Sequence, residues 1–291
     1  MNIIQIFKKF PNKITCIKHL EYTRWKEGIC CPYCQSNNTT KLKYDLRHHC
    51  NTCNTHFSVL VNTIFHDTRL PLQKWFLAIA LILNAKKGLS SRQLARDIEV
   101  NKNTAWSMQM RIRQAMQHDG KFMTGIVEMD ETYIGGKPRR YNVQNDQNKP
   151  NKRGRGTKKQ AVVGIIERNG NVHAEKKDIL SFQELKKVFD ANAKNAVLVT
   201  DDYKGYIPFK KNVEHKTVNH SRGEYANGGI HTNNIEGFWA LLKRGVMGQY
   251  HHVSKKYLNE YIREFCFRFN HRKLDASVMF NSVLVNMMRA Y

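Results

Sequence analysis

The sequence lacks both a long apolar run and an abundance of acidic residues. Its longest apolar run covers residues 75–83, between Lys74 and Asn84, whereas a helix that spans a bilayer needs about 20 such residues. The first residues, MNIIQIFKKFPNK, have no apolar core of the length found in a secretion signal. We therefore expect no membrane partner and a protein that stays in the reducing cytoplasm.

The shortage of acids leaves the chain strongly basic. Its 24 aspartates and glutamates stand against 48 lysines and arginines, which gives a formal net charge of +24 at pH 7. A surface of this charge attracts polyanions, so we expect a nucleic-acid partner; the alternative is a basic but otherwise ordinary soluble surface. With 291 residues, 41% of them hydrophobic, the chain is long enough for two or three domains.

The cysteines indicate metal binding, because a chain without an export signal is not expected to form disulfides. Of the seven, four form two C-x-x-C pairs: Cys31, Cys34, Cys50 and Cys53. The separation of the pairs fits a zinc pattern in which two tight turns each aim two sulfurs at one ion. Because four protein ligands leave no open position, we predict a structural Zn²⁺ in a zinc ribbon at residues 1–65. Cys30 can in principle replace Cys31, but the C-x-x-C spacing favours Cys31.

A helix-turn-helix pattern follows at residues 66–123. An apolar stretch at 72–85 precedes a short helix, SRQLARDI, and a longer helix from about Lys102 to Met116. The first residues of such a second helix meet base edges, and basic residues further along face phosphates. We predict DNA contacts from the following residues: Lys102, Asn103, Arg111 and Arg113. The alternative is a helical linker whose polar residues are solvated.

The second half of the chain, residues 124–291, carries acidic residues at informative places. Asp130 and Asp201 each belong to the end of an apolar, β-branched run that predicts a strand, and Glu236 opens a helical pattern. Carboxylates brought together from two strands and a helix can hold two divalent ions for a phosphodiester displacement. We therefore predict that these three residues bind Mg²⁺ or Mn²⁺ and that the chemistry acts on nucleic acid.

The order of elements in this half predicts an α/β domain with helices on a mixed sheet. We expect a strand at 126–134, a hairpin at 161–177, a helix at 182–193 and a buried strand at 196–200. The basic stretch at about 137–159 is too polar to pack and predicts a loop between the first two strands. Such a loop can clamp DNA through its phosphates; the alternative is a solvated insertion.

The helix that contains Glu236 presents a further set of groups. Glu236 and Lys243 are seven residues apart and Trp239 and Lys243 four apart, so the three lie on neighbouring faces of a helix. Lys243 can bind a phosphate, and Trp239 can stack on a base. Core packing is the favoured alternative for Trp239, and plain solvent exposure is the alternative for Lys243.

Other acids lie close to the predicted metal ligands. Glu128, two residues before Asp130, points to the same face of the strand, and we expect it beside the site without a direct role in metal binding. Glu131 and Asp202 point away from their neighbours and are expected to be structural or exposed.

Taken together, these segments resemble the DDE-type transposases of bacterial insertion sequences, in the ISXO2-like group with an N-terminal zinc ribbon. The similarity is carried by CPYC…CNTC, VEMDETYIGGK, VTDDYKGY and TNNIEGFWALLKRG. It implies an RNase H-like catalytic fold with two Mg²⁺ ions, and an enzyme that cuts at its element's terminal inverted repeats and joins the 3′-OH ends to target DNA. It also implies double-stranded DNA as the partner, a nucleoid-associated bacterial protein, and a homodimer or larger synaptic assembly.

The resemblance extends to single residues. Asp130 matches the family's first acid, Asp201 rather than Asp202 matches the second, and Glu236 matches the third. Some relatives carry Asn or His at the third position, which leaves Asn234 as an alternative; Glu236 is favoured because a carboxylate binds Mg²⁺ better than an amide oxygen. Two other functions stay open: a non-enzymatic DNA-binding regulator derived from a transposase, and a metal-dependent DNA nuclease that cuts without joining.

Overall fold

A computed structural model describes residues 1–117, 120–135, 159–218 and 231–289. By their internal contacts the residues fall into two units, Met1–Gln117 with Lys273–Tyr291, and His118–Arg272. The basic stretch predicted at about 137–159 lies outside the described residues, apart from Lys159. None of the helices in the described ranges has the length and apolar character needed to cross a membrane.

The first unit is mostly helical, with one small sheet. Its elements are α1 (Ile3–Lys9), α2 (Lys13–Arg24), β1 (Thr39–Lys41), β2 (Arg47–Cys50), β3 (Thr55–Ser58), α3 (Leu72–Asn84), α4 (Ser91–Asp97), α5 (Lys102–Ala115) and the last helix of the chain, α9 (Ala276–Met288). The strands β1, β2 and β3 form an antiparallel sheet. Asn2 and Asn12 begin the first two helices by accepting hydrogen bonds from backbone N–H groups three residues ahead.

The two helices expected of the helix-turn-helix are α4 and α5. Ser90 caps α4 and Asn101 caps α5 through their side-chain oxygens. The turn between them passes through Glu99, whose φ of 51° lies in the left-handed region. Leu94 and Ala105 are fully buried between the helices. The apolar spacing of the sequence therefore predicted this pair of helices correctly.

The C-terminal helix α9 packs within the first unit, although it lies inside the segment 124–291 that was predicted to be catalytic. Asn286 Nδ2 donates to the carbonyl of Ala115 at 2.9 Å, and the N–H of Ile64 donates to the carbonyl of Met287 at 3.0 Å. An apolar helical face is visible in the sequence, but periodicity does not show which unit will cover it.

The second unit contains a five-stranded mixed sheet. Its elements are β4 (Met123–Ile134), β5 (Gln160–Glu167), β6 (Val172–Lys177), α6 (Phe182–Asn192), β7 (Ala193–Thr200), a 3₁₀ helix (Lys204–Lys211), β8 (His215–Thr217), α7 (Asn233–Gly245) and α8 (Leu258–Asn270). The strand order is β6-β5-β4-β7-β8. Neighbours are antiparallel from β6 to β4 and parallel from β4 to β8. This is the RNase H-like arrangement, so the predicted fold class is confirmed.

The central strand β4 divides its side chains between the two faces of this sheet. Val127 and Met129 enter an apolar core that also contains Leu185 of α6. Glu128 and Asp130 point to the opposite face, where α7 lies. The strand therefore buries an apolar face and presents acids on the other.

The edge strand β6 is covered by α8. Asn270 Oδ1 accepts the N–H of Val172 at 2.8 Å, and Asn259 Oδ1 accepts the N–H of Lys176 at 2.9 Å. Both side chains satisfy backbone groups that an open sheet edge would leave available for pairing with another chain. Helix α8 thus protects one edge of the sheet, and the central strand of the same sheet carries Asp130.

Candidate active site

Asp130 lies on β4, and Asp201 directly follows β7, the strand that pairs with β4 in parallel. The register pairs Glu128 of β4 with Val199 of β7, and its continuation by two residues sets Asp130 opposite Asp201. Because paired strands run about 4.8 Å apart, the two carboxyl groups start from adjacent backbone positions. Asp201 Oδ1 accepts the N–H of Tyr203 at 3.1 Å, which fixes this side chain in the turn that follows β7.

Asp130 is a half-buried carboxyl group among other acids. Burial, followed by repulsion from Glu131 and Asp201, raises the pKa of Asp130 to about 7. The indole Nε1 of Trp239 donates to Asp130 Oδ2 at 2.9 Å and favours the ionised form. A divalent cation would stabilise the ionised form of this carboxyl group, which burial and the neighbouring acids disfavour. Carboxylate oxygens are suitable ligands for Mg²⁺ or Mn²⁺. The donor set therefore fits the predicted metal site.

Tyr206 joins the acids from the other face of the sheet. Its hydroxyl donates to Glu131 Oε2 at 3.0 Å. Burial, followed by the negative charges of Glu131, Asp130 and Asp201, raises the pKa of Tyr206 well above its usual value. Tyr206 thus stays protonated and supplies a hydrogen-bond donor. The sequence analysis missed this residue; its only signal was its position at the end of VTDDYKGY, five residues after the second acid.

Glu236 occupies the first turn of α7, on the exposed side of the helix. Its Oε1 accepts a hydrogen bond from Thr232 Oγ1 at 3.3 Å. Trp239, one turn further along α7, contacts Asp130, so the helix carries Glu236 to the neighbourhood of the first acid. Within the described ranges, the cysteines are the one set of three or more ligand side chains whose atoms all lie within 4.8 Å of one another. The structure therefore brings Asp130 and Asp201 together, whereas Glu236 does not complete a close set of three acids with them.

Two residues predicted to contact DNA are buried instead. Trp239 is 4% exposed and uses its indole N–H on Asp130, so we correct the prediction that its ring stacks on a base in favour of core packing. Arg113 is 1% exposed, so we also correct its predicted phosphate contact. Both side chains lie on the buried stripe of an amphipathic helix, where position along the helix outweighs residue type.

The remaining DNA-contact predictions fall on accessible positions. Lys102 and Asn103 are exposed at the start of α5, and Lys243 is exposed on α7. Arg111 is half-buried, and its Nη1 donates to the carbonyl of Ile64 at 3.1 Å. Lys102, Asn103 and Lys243 therefore stay candidates for DNA contact, whereas Arg111 also has a structural hydrogen bond.

The four predicted zinc ligands converge in the first unit. The sulfurs of Cys31 and Cys53 are 3.7 Å apart, those of Cys34 and Cys50 are 3.5 Å apart, and all four lie within 4.8 Å of one another. A tetrahedral site with Zn–S bonds of about 2.3 Å has sulfur–sulfur edges of about 3.8 Å, so this spacing fits Zn²⁺. Cys31, not Cys30, belongs to the set.

Gly164 faces Asp130 across the β4–β5 ladder and leaves space for the indole ring of Trp239. A Cβ atom at this position would lie 2.6 Å from Trp239 Cη2 and 3.1 Å from Ile235 Cδ1. We predict that Gly164→Ala displaces the ring and lowers the free energy of unfolding by about 1–3 kcal/mol, the usual cost of overpacking. Urea unfolding followed by tryptophan emission measures both effects.

A matched control is Gly237→Ala on α7, where an added Cβ meets no atom within 4 Å. This variant is expected to keep or raise stability, because Ala favours a helix over Gly. Equal unfolding transitions for Gly164→Ala and the wild type would contradict the described packing of Trp239.

The fold and the paired acids define an RNase H-like protein. A profile of the ISXO2-like transposase domain matches residues 122–270, which is more than half of the 291-residue chain. The chain therefore belongs to the ISXO2-like transposase family. The matched segment contains Asp130, Asp201 and Glu236.

Similar proteins include an archaeal relative and two solved structures. The chain is 27% identical over 273 residues to "Uncharacterized protein in transposable element ISH50" of Halobacterium salinarum, over 90% of this chain and 92% of the relative. A simian T-cell lymphotropic virus intasome structure matches at 12% identity over 63% of this chain and 66% of that chain, with a TM-score of 0.30. The Mos1 transposase paired-end complex matches at 12% identity over 71% and 78%, with a TM-score of 0.26. The RNase H-like assignment rests instead on the strand order and directions of the sheet.

Proposed function

We propose that the protein is a transposase that cuts DNA at the ends of its insertion sequence and joins the 3′-OH ends to target DNA. The observation that carries this proposal is the Asp130–Asp201 pair at the centre of the RNase H-like sheet, within the segment that the family profile matches. The net charge of +24 supports double-stranded DNA as the partner. Synapsis of two element ends calls for a homodimer or larger assembly.

In this proposal Asp130, Asp201 and Glu236 hold two Mg²⁺ or Mn²⁺ ions. Such ions, when bound, supply a strong nucleophile at neutral pH and stabilise charge on the leaving oxygen. Trp239 fixes the orientation of Asp130 by its 2.9 Å hydrogen bond. The burial of Asp130 also reduces screening by water, which strengthens its attraction for a cation. Lys243 is exposed on the same helix as Glu236, which supports a role for it in contacting a DNA phosphate.

Glu236 is a better candidate than Asn234 for the third ligand. The side-chain amide of Asn234 donates from Nδ2 to Glu128 Oε1 at 2.8 Å, so this residue already has a role in holding the helix on the sheet. Glu236 is exposed and offers a charged carboxylate, which Mg²⁺ prefers to a neutral amide.

The acid pair argues against one of the two rivals, the DNA-binding regulator. A DNA-binding regulator needs no carboxyl group whose pKa is raised to about 7 by burial and neighbouring acids, whereas such groups are common at catalytic sites. A nuclease that cuts without joining would use the same residues. The two enzymes therefore differ in their products and not in this site.

Incubation of the protein with a labelled duplex of its element's end, a target plasmid and Mg²⁺ or Mn²⁺ distinguishes the three functions. Labelled strands joined to the plasmid support the transposase. Cleaved strands without joined product support the nuclease, and tight binding without cleavage in either metal supports the regulator.

End recognition makes a second prediction. We expect the double variant Lys102→Ala/Asn103→Ala to bind the element's end at least about tenfold more weakly, because a lost base contact costs about 1–3 kcal/mol. Binding to unrelated DNA should fall only slightly. Fluorescence anisotropy on both duplexes measures the two affinities.

The control for this prediction is Lys86→Ala, which removes one positive charge from an exposed position outside α5. This variant should weaken binding to both duplexes slightly and by the same factor. If the double variant also weakens binding to both duplexes by the same factor, the start of α5 does not recognise the sequence of the element's end.

A further inference from the structure

Glu128 is a fully buried carboxylate that binds the first turn of α7. Its Oε2 accepts the backbone N–H of Asn234 at 2.9 Å and that of Ile235 at 3.1 Å. Its Oε1 accepts Asn234 Nδ2 at 2.8 Å and Arg168 Nε at 3.1 Å. A side chain of β4 thus binds the start of a helix 106 residues further along the chain.

These contacts replace the usual capping of a helix. Thr232, which precedes α7, does not cap the helix with its side chain; its hydroxyl donates to the Glu236 side chain instead. The first N–H groups of a helix have no partner within the helix and carry partial positive charge. Glu128 satisfies two of them with a negative charge, and Arg168 balances that charge from the β5 side. These contacts stabilise one particular position of α7 on the sheet.

Glu128 also connects two of the three predicted metal ligands. It lies two residues before Asp130 on the same face of β4, and the backbone groups that it binds belong to the two residues before Glu236. Only short, regular stretches of backbone therefore separate this contact from each ligand. A shift of α7 relative to Glu128 would change the distance between Glu236 and Asp130.

We propose that Glu128 is a positioning residue that fixes the helix carrying Glu236 against the strand carrying Asp130. Through this contact it sets the geometry in which the two carboxylates share metal ions. The inference rests on the proposed function for its catalytic consequence, whereas the attachment of α7 to β4 stands independently of it.

The structure requires a carboxylate at this position and not only its shape. Both oxygens of Glu128 accept hydrogen bonds, and their partners are all donors. Glutamine has one acceptor oxygen and one NH₂ group, so Glu128→Gln sets donors against donors in either orientation. Glu128→Asp keeps both acceptor oxygens on a side chain that is one carbon shorter.

The test compares the full-length wild type with Glu128→Gln, Glu128→Asp and a control, Glu264→Gln. Glu264 is also fully buried, and it pairs with Arg268 at 2.7 Å and with Tyr250 at 3.0 Å, after the end of α7. Its replacement matches the loss of a buried carboxylate in the same unit. A difference between the two glutamine variants therefore reports on the start of α7.

The first readout is hydrogen exchange at the amides of Asn234 and Ile235, without metal or DNA. We expect faster exchange in Glu128→Gln, an intermediate rate in Glu128→Asp and the wild-type rate in Glu264→Gln. Wild-type exchange in Glu128→Gln would overturn the proposal. This readout needs no activity, so it separates failure of the positioning role from failure of the proposed function.

The second readout is strand joining as a function of Mn²⁺ concentration. We expect Glu128→Gln to need more Mn²⁺ and to lose on the order of 10- to 100-fold in kcat, the effect of misplaced catalytic groups, with an unchanged KM for the element's end. Glu128→Asp should recover part of the loss, and Glu264→Gln should resemble the wild type. An equal loss in both glutamine variants would show a general effect on stability and overturn the proposal. If Glu128→Gln does not fold, Glu128→Asp provides both readouts with smaller changes.

Discussion

Asp130→Asn is expected to abolish strand cleavage and joining while the protein still binds its element's end. The substitution keeps the shape of the side chain but removes the charge that a divalent ion needs, and such an ion contributes several kcal/mol to catalysis. A loss of at least about 10³-fold follows, since each tenfold change in rate corresponds to about 1.4 kcal/mol. Gel assays of cleaved and joined strands measure the rates, and anisotropy measures binding.

The same variant should be at least as stable as the wild type in buffer without added Mg²⁺ or Mn²⁺. The pKa of Asp130 is raised to about 7 by burial and by the neighbouring acids, above the ordinary value of about 3.9 for an unfolded chain. A raised pKa means that ionisation destabilises the folded state, so this cost develops between about pH 4 and pH 7 and persists above it. Asn does not ionise, and its advantage in thermal unfolding should therefore grow over that interval.

Asp190→Asn is the matched control for both measurements. Asp190 is exposed on α6, where it pairs with Lys186 one turn away, and an exposed pair of this kind contributes little. Activity and the pH dependence of stability should stay at wild-type values. Cleavage at a wild-type rate by Asp130→Asn would remove Asp130 from the proposed metal ligands.

Cys31→Ser is expected to lose zinc and unfold the ribbon, whereas Cys30→Ser should do neither. Cys31 contributes a sulfur to the four-cysteine set, and Cys30 does not. The apolar cluster around this set is small, with Cys31, Cys50 and Phe57 as its buried members. Structural Zn²⁺ contributes on the order of 10–16 kcal/mol in zinc-finger peptides, so we expect the ribbon to depend on the metal for its fold.

Metal analysis of the purified proteins and limited proteolysis of residues 25–65 measure this effect. The wild type and Cys30→Ser should contain one zinc per chain and resist cleavage, while Cys31→Ser should lack zinc, be cleaved and lose selective binding to the element's end. A full complement of zinc in Cys31→Ser, or its loss in Cys30→Ser, would contradict the ligand set.

The sequence predicted the order of elements in the sheet because local patterns determine them. The hairpin of β5 and β6 turns at Asn169, whose φ of 60° is the left-handed conformation that an Asn-Gly turn requires. The pair of helices α4 and α5 was predicted from its caps and apolar spacing. Such signals lie within a few residues of the structure that they specify.

Features that depend on distant contacts were not predicted. The packing of α9 in the first unit and the approach of Tyr206 to Glu131 join residues that are far apart in the chain. The role of Glu128 was anticipated only as a neighbour of Asp130, since its partners in α7 follow from tertiary structure. Arg113 was assigned to DNA by residue type, and base stacking was considered for Trp239 beside the favoured core packing. Both side chains lie on buried helix faces, which rules out the DNA contacts.

We propose the Asp130–Asp201 pair as the catalytic centre of a DNA-joining enzyme. The most direct test of this proposal is the joining of a labelled element end to target DNA by the wild type, Asp201→Ala and Asp202→Ala, with Mg²⁺ or Mn²⁺. Asp202 is the exposed neighbour of Asp201 and serves as the matched acid. We predict metal-dependent joining by the wild type and by Asp202→Ala, and none by Asp201→Ala. Joining by Asp201→Ala at the wild-type rate would contradict the account.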